Sequence, residues 1–260
     1  MRAFLLLAGL LVTAGAAQAQ AVQVYAAGSL REALTEVARQ YEAQSGQKVQ
    51  LTFGASGLLR ERIEKGEPAQ VFASADTDHP QRLARSGGWQ APQVFARNQM
   101  CALAAPTLRA TPETLLDTLL QPAVRVGTST PKADPSGDYA WALFRRAEAL
   151  RPGAYAALDA KALKLSGGAD SPQPPAGRGT YAWLMDEGRA DVFLTYCTGA
   201  VSAQREVPRL QIVQVPVDLQ VAASYGLTAR QGDAQAAQLA QYILSPPAQA
   251  VLRRVGFGAP

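Results

Sequence analysis

The stretch Val22-Gln23-Val24-Tyr25-Ala26-Ala27-Gly28-Ser29-Leu30 decides the fold. Its first half reads as a short strand that empties into small residues and a serine. From Leu30 onward, Ala33, Leu34, Val37, Ala38 and Tyr41 recur at helical spacing, which marks an amphipathic helix with one buried face. Ser29 and Glu32 stand three apart ahead of that stripe, so a capping box is expected at the helix start. Gly46 ends the unit, and Lys48-Val49-Gln50-Leu51-Thr52-Phe53 begins the next strand.

The unit then repeats its order without repeating its sequence. Strands are expected at Val71 to Ala75, Met100 to Ala104, Val124 to Gly127, Asp191 to Tyr196, Gln211 to Val215 and Tyr225 to Ala229. Between them fall helical patterns over 57–65, 78–86, 112–120, 137–150 and 181–188, with two more at 234–244 and after Pro246-Pro247. Strand–helix alternation of this kind implies parallel sheet with helices on its faces. The run from Gly167 to Gly179 is rich in Gly, Pro and Ser and reads as a long loop, and loops of such length in compact domains often serve binding.

Three of the strand-to-helix junctions share a chemistry: Ala26-Ala27-Gly28-Ser29, Phe53-Gly54-Ala55-Ser56-Gly57 and Pro135-Ser136-Gly137. A helix start presents unpaired N–H groups and a partial positive charge, so it holds an anion without a cationic side chain. Small residues let the backbone approach closely, and serine adds a hydroxyl donor. Three such starts in one chain point to a compact anion enclosed by neutral donors.

The N-terminus reads as a leader over residues 1–19: Arg2, an apolar run from Phe4 to Val12, and Ala17-Gln18-Ala19 as a cleavage site before Gln20. The apolar run is too short to span a bilayer. The mature chain is therefore expected to be exported, soluble and periplasmic. The net charge of +4 falls to about +3 without Arg2, with no basic block, so nothing resembles a nucleic-acid footprint. One histidine, His79, without a close Cys or His partner argues against a zinc or copper site. Asp76, Asp78 and His79 are read as capping the helix that begins there. No nucleophile elbow, P-loop or metalloprotease motif occurs. No enzyme activity and no cofactor are expected. In an oxidising compartment Cys101 and Cys197 are expected to pair, the alternative being two buried free thiols.

Taken together, Val24 to Leu30, Phe53 to Leu58, Ala73-Ser74-Ala75-Asp76, Tyr225-Gly226-Leu227, Ser245-Pro246 and Gly256-Phe257 resemble the periplasmic molybdate-binding proteins, substrate-binding components of ABC importers. The resemblance implies a two-lobed α/β protein of periplasmic binding protein type II. Each lobe would be a mainly parallel sheet flanked by helices, with the ligand cleft between lobes. Lobe 1 is expected over residues 20–98 plus 217–260, and lobe 2 over 99–216. The resemblance further implies that Ser29 and Ser56 give hydroxyls to a tetrahedral dianion, Ser136 its backbone N–H and Tyr196 its hydroxyl, with another backbone donor near Arg178. The expected ligand is molybdate or a similar oxyanion such as tungstate, handed by a monomer to an inner-membrane ABC permease. A donor-only pocket of this kind would reject phosphate, whose proton would lack an acceptor.

Three departures bear on the ligand: the carboxylates Asp134 and Asp138 beside the expected anion site, the proline-rich Ser171-Pro172-Gln173-Pro174-Pro175, and Cys197 where the family usually has glycine. The alternatives are an organic acid or metal chelate held by Arg178 or Asp138, and an exported hydrolase or transferase.

Overall fold

A computed structural model describes residues 20–260; the expected leader lies outside them. The first unit forms as β1 (Val22–Ala27), a 3-10 turn (Gly28–Leu30) and α1 (Arg31–Ser45). The α1 stripe is buried as expected, from Leu30 through Ala33, Leu34, Val37 and Ala38 to Tyr41. Gly46 stops the helix in the left-handed conformation at φ 73°, which glycine adopts without a Cβ penalty. There follow β2 (Val49–Gly54), α2 (Ser56–Glu64), β3 (Val71–Ser74), α3 (Asp78–Ser86) and the long β4 (Gln93–Ala104).

The middle of the chain supplies α4 (Leu115–Leu120), β5 (Val126–Ser129), α5 (Pro135–Leu150), α6 (Ala154–Lys161), β6 (Leu163–Ser166), α7 (Thr180–Asp186), β7 (Val192–Tyr196) and α8 (Cys197–Glu206). The chain closes with β8 (Gln211–Gln214), β9 (Ala222–Ala229), α9 (Ala234–Leu244) and α10 (Pro246–Val255).

The strands line up in the order β2-β1-β3-β9-β4-β7-β5-β6, with β8 also on β4. The outer pairs β1–β2, β1–β3, β5–β6 and β5–β7 are parallel, as strand–helix alternation requires. The strands that join the two halves run antiparallel. Up to Gln99, β4 pairs with β9; from Met100 onward it pairs with β7 and β8. One unbroken strand therefore belongs to both halves of the sheet.

Several expectations are corrected. The capping box is absent: α1 is preceded by Leu30 without a side-chain cap, because the serine hydroxyl turns to Tyr225 instead and Glu32 reaches Arg205 at 3.3 Å. Three elements had no counterpart in the reading of the sequence. In α6 only Ala154 and Leu158 are buried, too few for a periodic stripe. The edge strand β6 is largely exposed. In α8 the buried residues are small or polar, Thr198, Ala200 and Ala203. Both β4 and β9 run longer than their apolar cores. The loop over 167–179 forms neither helix nor strand, as expected.

Cys101 on β4 and Cys197 at the start of α8 are joined by a disulfide, with Cα atoms 4.8 Å apart. The β-ladder brings them together, since Cys101 faces Thr195 and Met100 faces Tyr196.

Candidate functional site

A cavity of about 1190 Å³ is walled by both halves of the sheet. From the first half come the turn Ala27-Gly28-Ser29 and the start of α2 at Ala55-Ser56; from the second come Asp134, Tyr196 and the loop after β6. The chain order explains the meeting: β1, β2 and β7 end at the cavity and the turn or helix that follows each begins there, the place where open α/β sheets hold ligands.

The hydroxyls are arranged as follows. Ser29 Oγ lies 3.0 Å from the Tyr225 hydroxyl, which also receives the Asn98 amide at 3.4 Å. Ser56 is buried, and its Oγ accepts from the Ala75 amide at 3.1 Å, which leaves its proton to donate. Tyr196 is 2% exposed, and its hydroxyl has no hydrogen-bond partner. Leaving a buried hydroxyl unpaired costs about 1–3 kcal/mol, and the residue that carries this one lines the cavity. Burial among the rings of Tyr139 and Tyr225 also pushes its pKa well above the ordinary tyrosine value.

Two expected donors are placed differently. Ser136 is fully buried behind the wall, and its amide, expected to face an anion, donates instead to Asp134 Oδ1 at 3.0 Å. Its hydroxyl has no partner. Arg178 reaches the wall, but its amide donates to the Pro175 carbonyl at 3.1 Å. Its guanidinium is held by Glu206 and by Asp186 at 3.0 Å. The proline-rich loop turns on itself there and consumes the donor.

Asp134 bears on the site more than its place at a helix start implies. It caps α5, as acids do at helix starts, yet it also lies on the cavity wall, so the pocket is not donor-only. Burial pushes its carboxyl up to about 6, against the pull of the Ser136 amide and the Ser129 hydroxyl, and Asp138 and Asp76 add to the rise. Gly167, at φ +73°, lets the following loop lie directly on this side chain; a Cβ there would come within 2.5 Å of it.

A stability test follows. A carboxyl raised in the folded state favours folding when protonated. That contribution is complete below about pH 4 and is lost as the pH rises through about 6. Asp134→Asn keeps a capping oxygen and removes the charge. It is expected to stabilise the ligand-free protein by about 1–3 kcal/mol at about pH 7.5 and to be neutral at about pH 4. Thermal melts at the two pH values check it, and a pH-independent difference would contradict it.

Asp76 Oδ1 accepts from the His79 amide at 3.2 Å, the capping role expected of that cluster. The His79 ring is buried and depressed in pKa chiefly by that burial. Among the described residues no group of three or more His, Cys, Asp or Glu is placed to hold a metal ion.

A model of the family described as bacterial extracellular solute-binding protein matches residues 22–258. The chain belongs to that family. An uncharacterized protein of Pasteurella multocida is 37% identical over 213 residues, covering 80% of this chain and 86% of its own. The molybdate-binding protein ModA of Azotobacter vinelandii is 40% identical over 88 residues, 34% of each chain, so the kinship with molybdate-binding proteins holds. The solved Azotobacter molybdate-binding protein superposes with a TM-score of 0.70 at 20% identity, covering 92% of this chain and 99% of that one. PEB3 of Campylobacter jejuni, solved with L-phospholactate, gives 0.71 at 17% identity, covering 92% and 100%. The fold is that of the type II periplasmic binding proteins, and the extracellular family implies a periplasmic place of work.

Proposed function

We propose that this solute-binding protein captures a tetrahedral oxyanion between lobes 20–98 plus 217–260 and 99–216, and presents it to an inner-membrane ABC permease. The carrying observation is that Tyr196, whose buried hydroxyl has no partner, lines one cavity with Ser29 and Ser56. The change of β4 partners at Gln99 and Met100 supports the lobe division. Kinship with ModA favours molybdate or tungstate. Asp134 on the wall favours a second reading, an oxyanion or organic acid that brings a hydrogen-bond donor of its own.

Thermal-shift titration of the mature protein against molybdate, tungstate, sulfate and phosphate is expected to raise Tm with at least one of them. At a hundredfold excess over Kd the gain is about 2.7 kcal/mol. Ser56→Ala is expected to weaken that ligand by about 1.5–3 kcal/mol, the worth of a hydrogen bond to a charged group, and Ser29→Ala likewise. No response to any oxyanion, or unchanged binding in both variants, would sink the assignment.

A further inference from the structure

Asp134 does more at the start of α5 than end a helix. Its Oδ1 takes the Ser136 amide, the group that an anion would otherwise use, so the chain's own carboxylate already sits at that helix start. An incoming oxygen that bears no proton, placed against it, would set lone pairs against lone pairs whatever the ligand's charge, and two further acids, Asp138 and Asp76, add to the negative field at Asp134. The other groups near it are hydroxyls. Ser129 bonds Ser166 at 2.9 Å, while Tyr181 and Tyr196 lie close enough to feel its charge.

The remaining wall divides by chemistry. The Ser29 turn and the start of α2 offer donors from one half, and the Tyr196 hydroxyl, buried and unpartnered, offers one from the other. Asp134 offers the cavity an acceptor. An acceptor set among donors recognises a ligand that both accepts and donates. Molybdate, tungstate and sulfate carry no proton near neutral pH, so their oxygens only accept; monohydrogen phosphate and hydroxylated phosphate esters do both. The volume of about 1190 Å³ also leaves room beside the anion position for more than a bare tetrahedral ion.

We propose that Asp134 sets the specificity of the cleft, which takes an oxyanion bringing its own hydrogen-bond donor and disfavours the fully deprotonated molybdate, tungstate and sulfate. This rests on the reading of the cleft as an oxyanion site. It extends that reading by naming the class of oxyanion and the residue that chooses it. The donor is either the proton of inorganic phosphate or a hydroxyl of a small phosphate ester, and the two sources are separable by experiment.

The test is calorimetric titration of the full mature protein and of Asp134→Asn at about pH 7.5 with phosphate, glycerol phosphate, molybdate, tungstate and sulfate. The wild type is expected to bind phosphate or glycerol phosphate at least about tenfold more tightly than the other three. Whichever of the two binds better names the source of the donor. Asp134→Asn, which keeps a capping oxygen, is expected to lose about tenfold for that ligand and to gain for molybdate, collapsing the preference. Tighter wild-type binding of molybdate, tungstate or sulfate overturns the specificity while the oxyanion site stands. A preference unchanged in the variant overturns the role of Asp134. Binding of none of the five overturns the oxyanion reading itself. Circular dichroism and melting of the variant show that it is folded.

Discussion

Replacing both Cys101 and Cys197 by alanine is expected to lower the melting temperature by roughly 5–15 °C. The bond closes a long loop, its ends 96 residues apart in sequence. The chain-entropy model gives up to about 4.7 kcal/mol for a loop near that length, and typical disulfides deliver about 2–4 kcal/mol. At roughly 2–4 °C per kcal/mol for a chain of this size, the shift follows. The double variant avoids leaving one thiol in the core. A second effect is expected on binding, because Cys197 adjoins Tyr196 and Cys101 sits opposite Thr195 on the neighbouring strand, so the bond fixes the backbone that aims the Tyr196 hydroxyl. Melts of wild type and variant without reductant measure the first effect and titration calorimetry the second. Two free thiols per chain in the denatured, unreduced wild type would overturn both.

Gly57→Ala is expected to weaken ligand binding by about ten- to a hundredfold while leaving the ligand-free melting temperature nearly unchanged. Gly57 is the second residue of α2, and its amide donates to the Ala133 carbonyl at 2.9 Å, across from one half of the molecule to the other. A Cβ at this position would press on the Lys132 carbonyl and lie 2.7 Å from that of Ala133. Both obstacles are backbone and cannot swing aside as a side chain would. The methyl group would therefore press directly on the contact between the halves. Overpacking of this kind costs about 1–3 kcal/mol. Wild-type affinity in the variant, or a collapse in stability, would show that the contact has no part in holding ligand.

What could be read in advance depended on whether a residue's partners lie near it in sequence. The stripe from Leu30 to Tyr41 predicts α1 because its residues share one face of a single helix. The positions of Ser29 and Ser56 on the cavity wall were legible for the same reason: small residues after a strand mark a junction wherever they occur. The capping box failed because Tyr225, almost two hundred residues away, offers Ser29 a partner that local spacing does not reveal. Ser136 and Arg178 were expected as backbone donors. Their amides went to Asp134 and to Pro175, and both outcomes depend on how a turn closes rather than on composition. Asp134 was visible as an acid beside the site. Whether it would face solvent or the cavity depended on the loop that Gly167 lays over it, and no periodicity encodes that.

The shared strand has a mechanical consequence. The chain passes from one half to the other along β4 and returns in the segment between β8 and β9, and β9 lies hydrogen-bonded beside β4 up to Gln99. Any parting of the halves therefore works against a pair of laced strands rather than a loose tether. Paired strands carry a resting twist of fixed hand. On the proposed two-lobed reading, this pair would act as a torsion spring, wound in one direction by the sheet itself. The same two strands also carry Asn98 and Tyr225, which reach the Ser29 turn on the cavity wall, so any parting of the halves and the grip on a solute would be coupled through them.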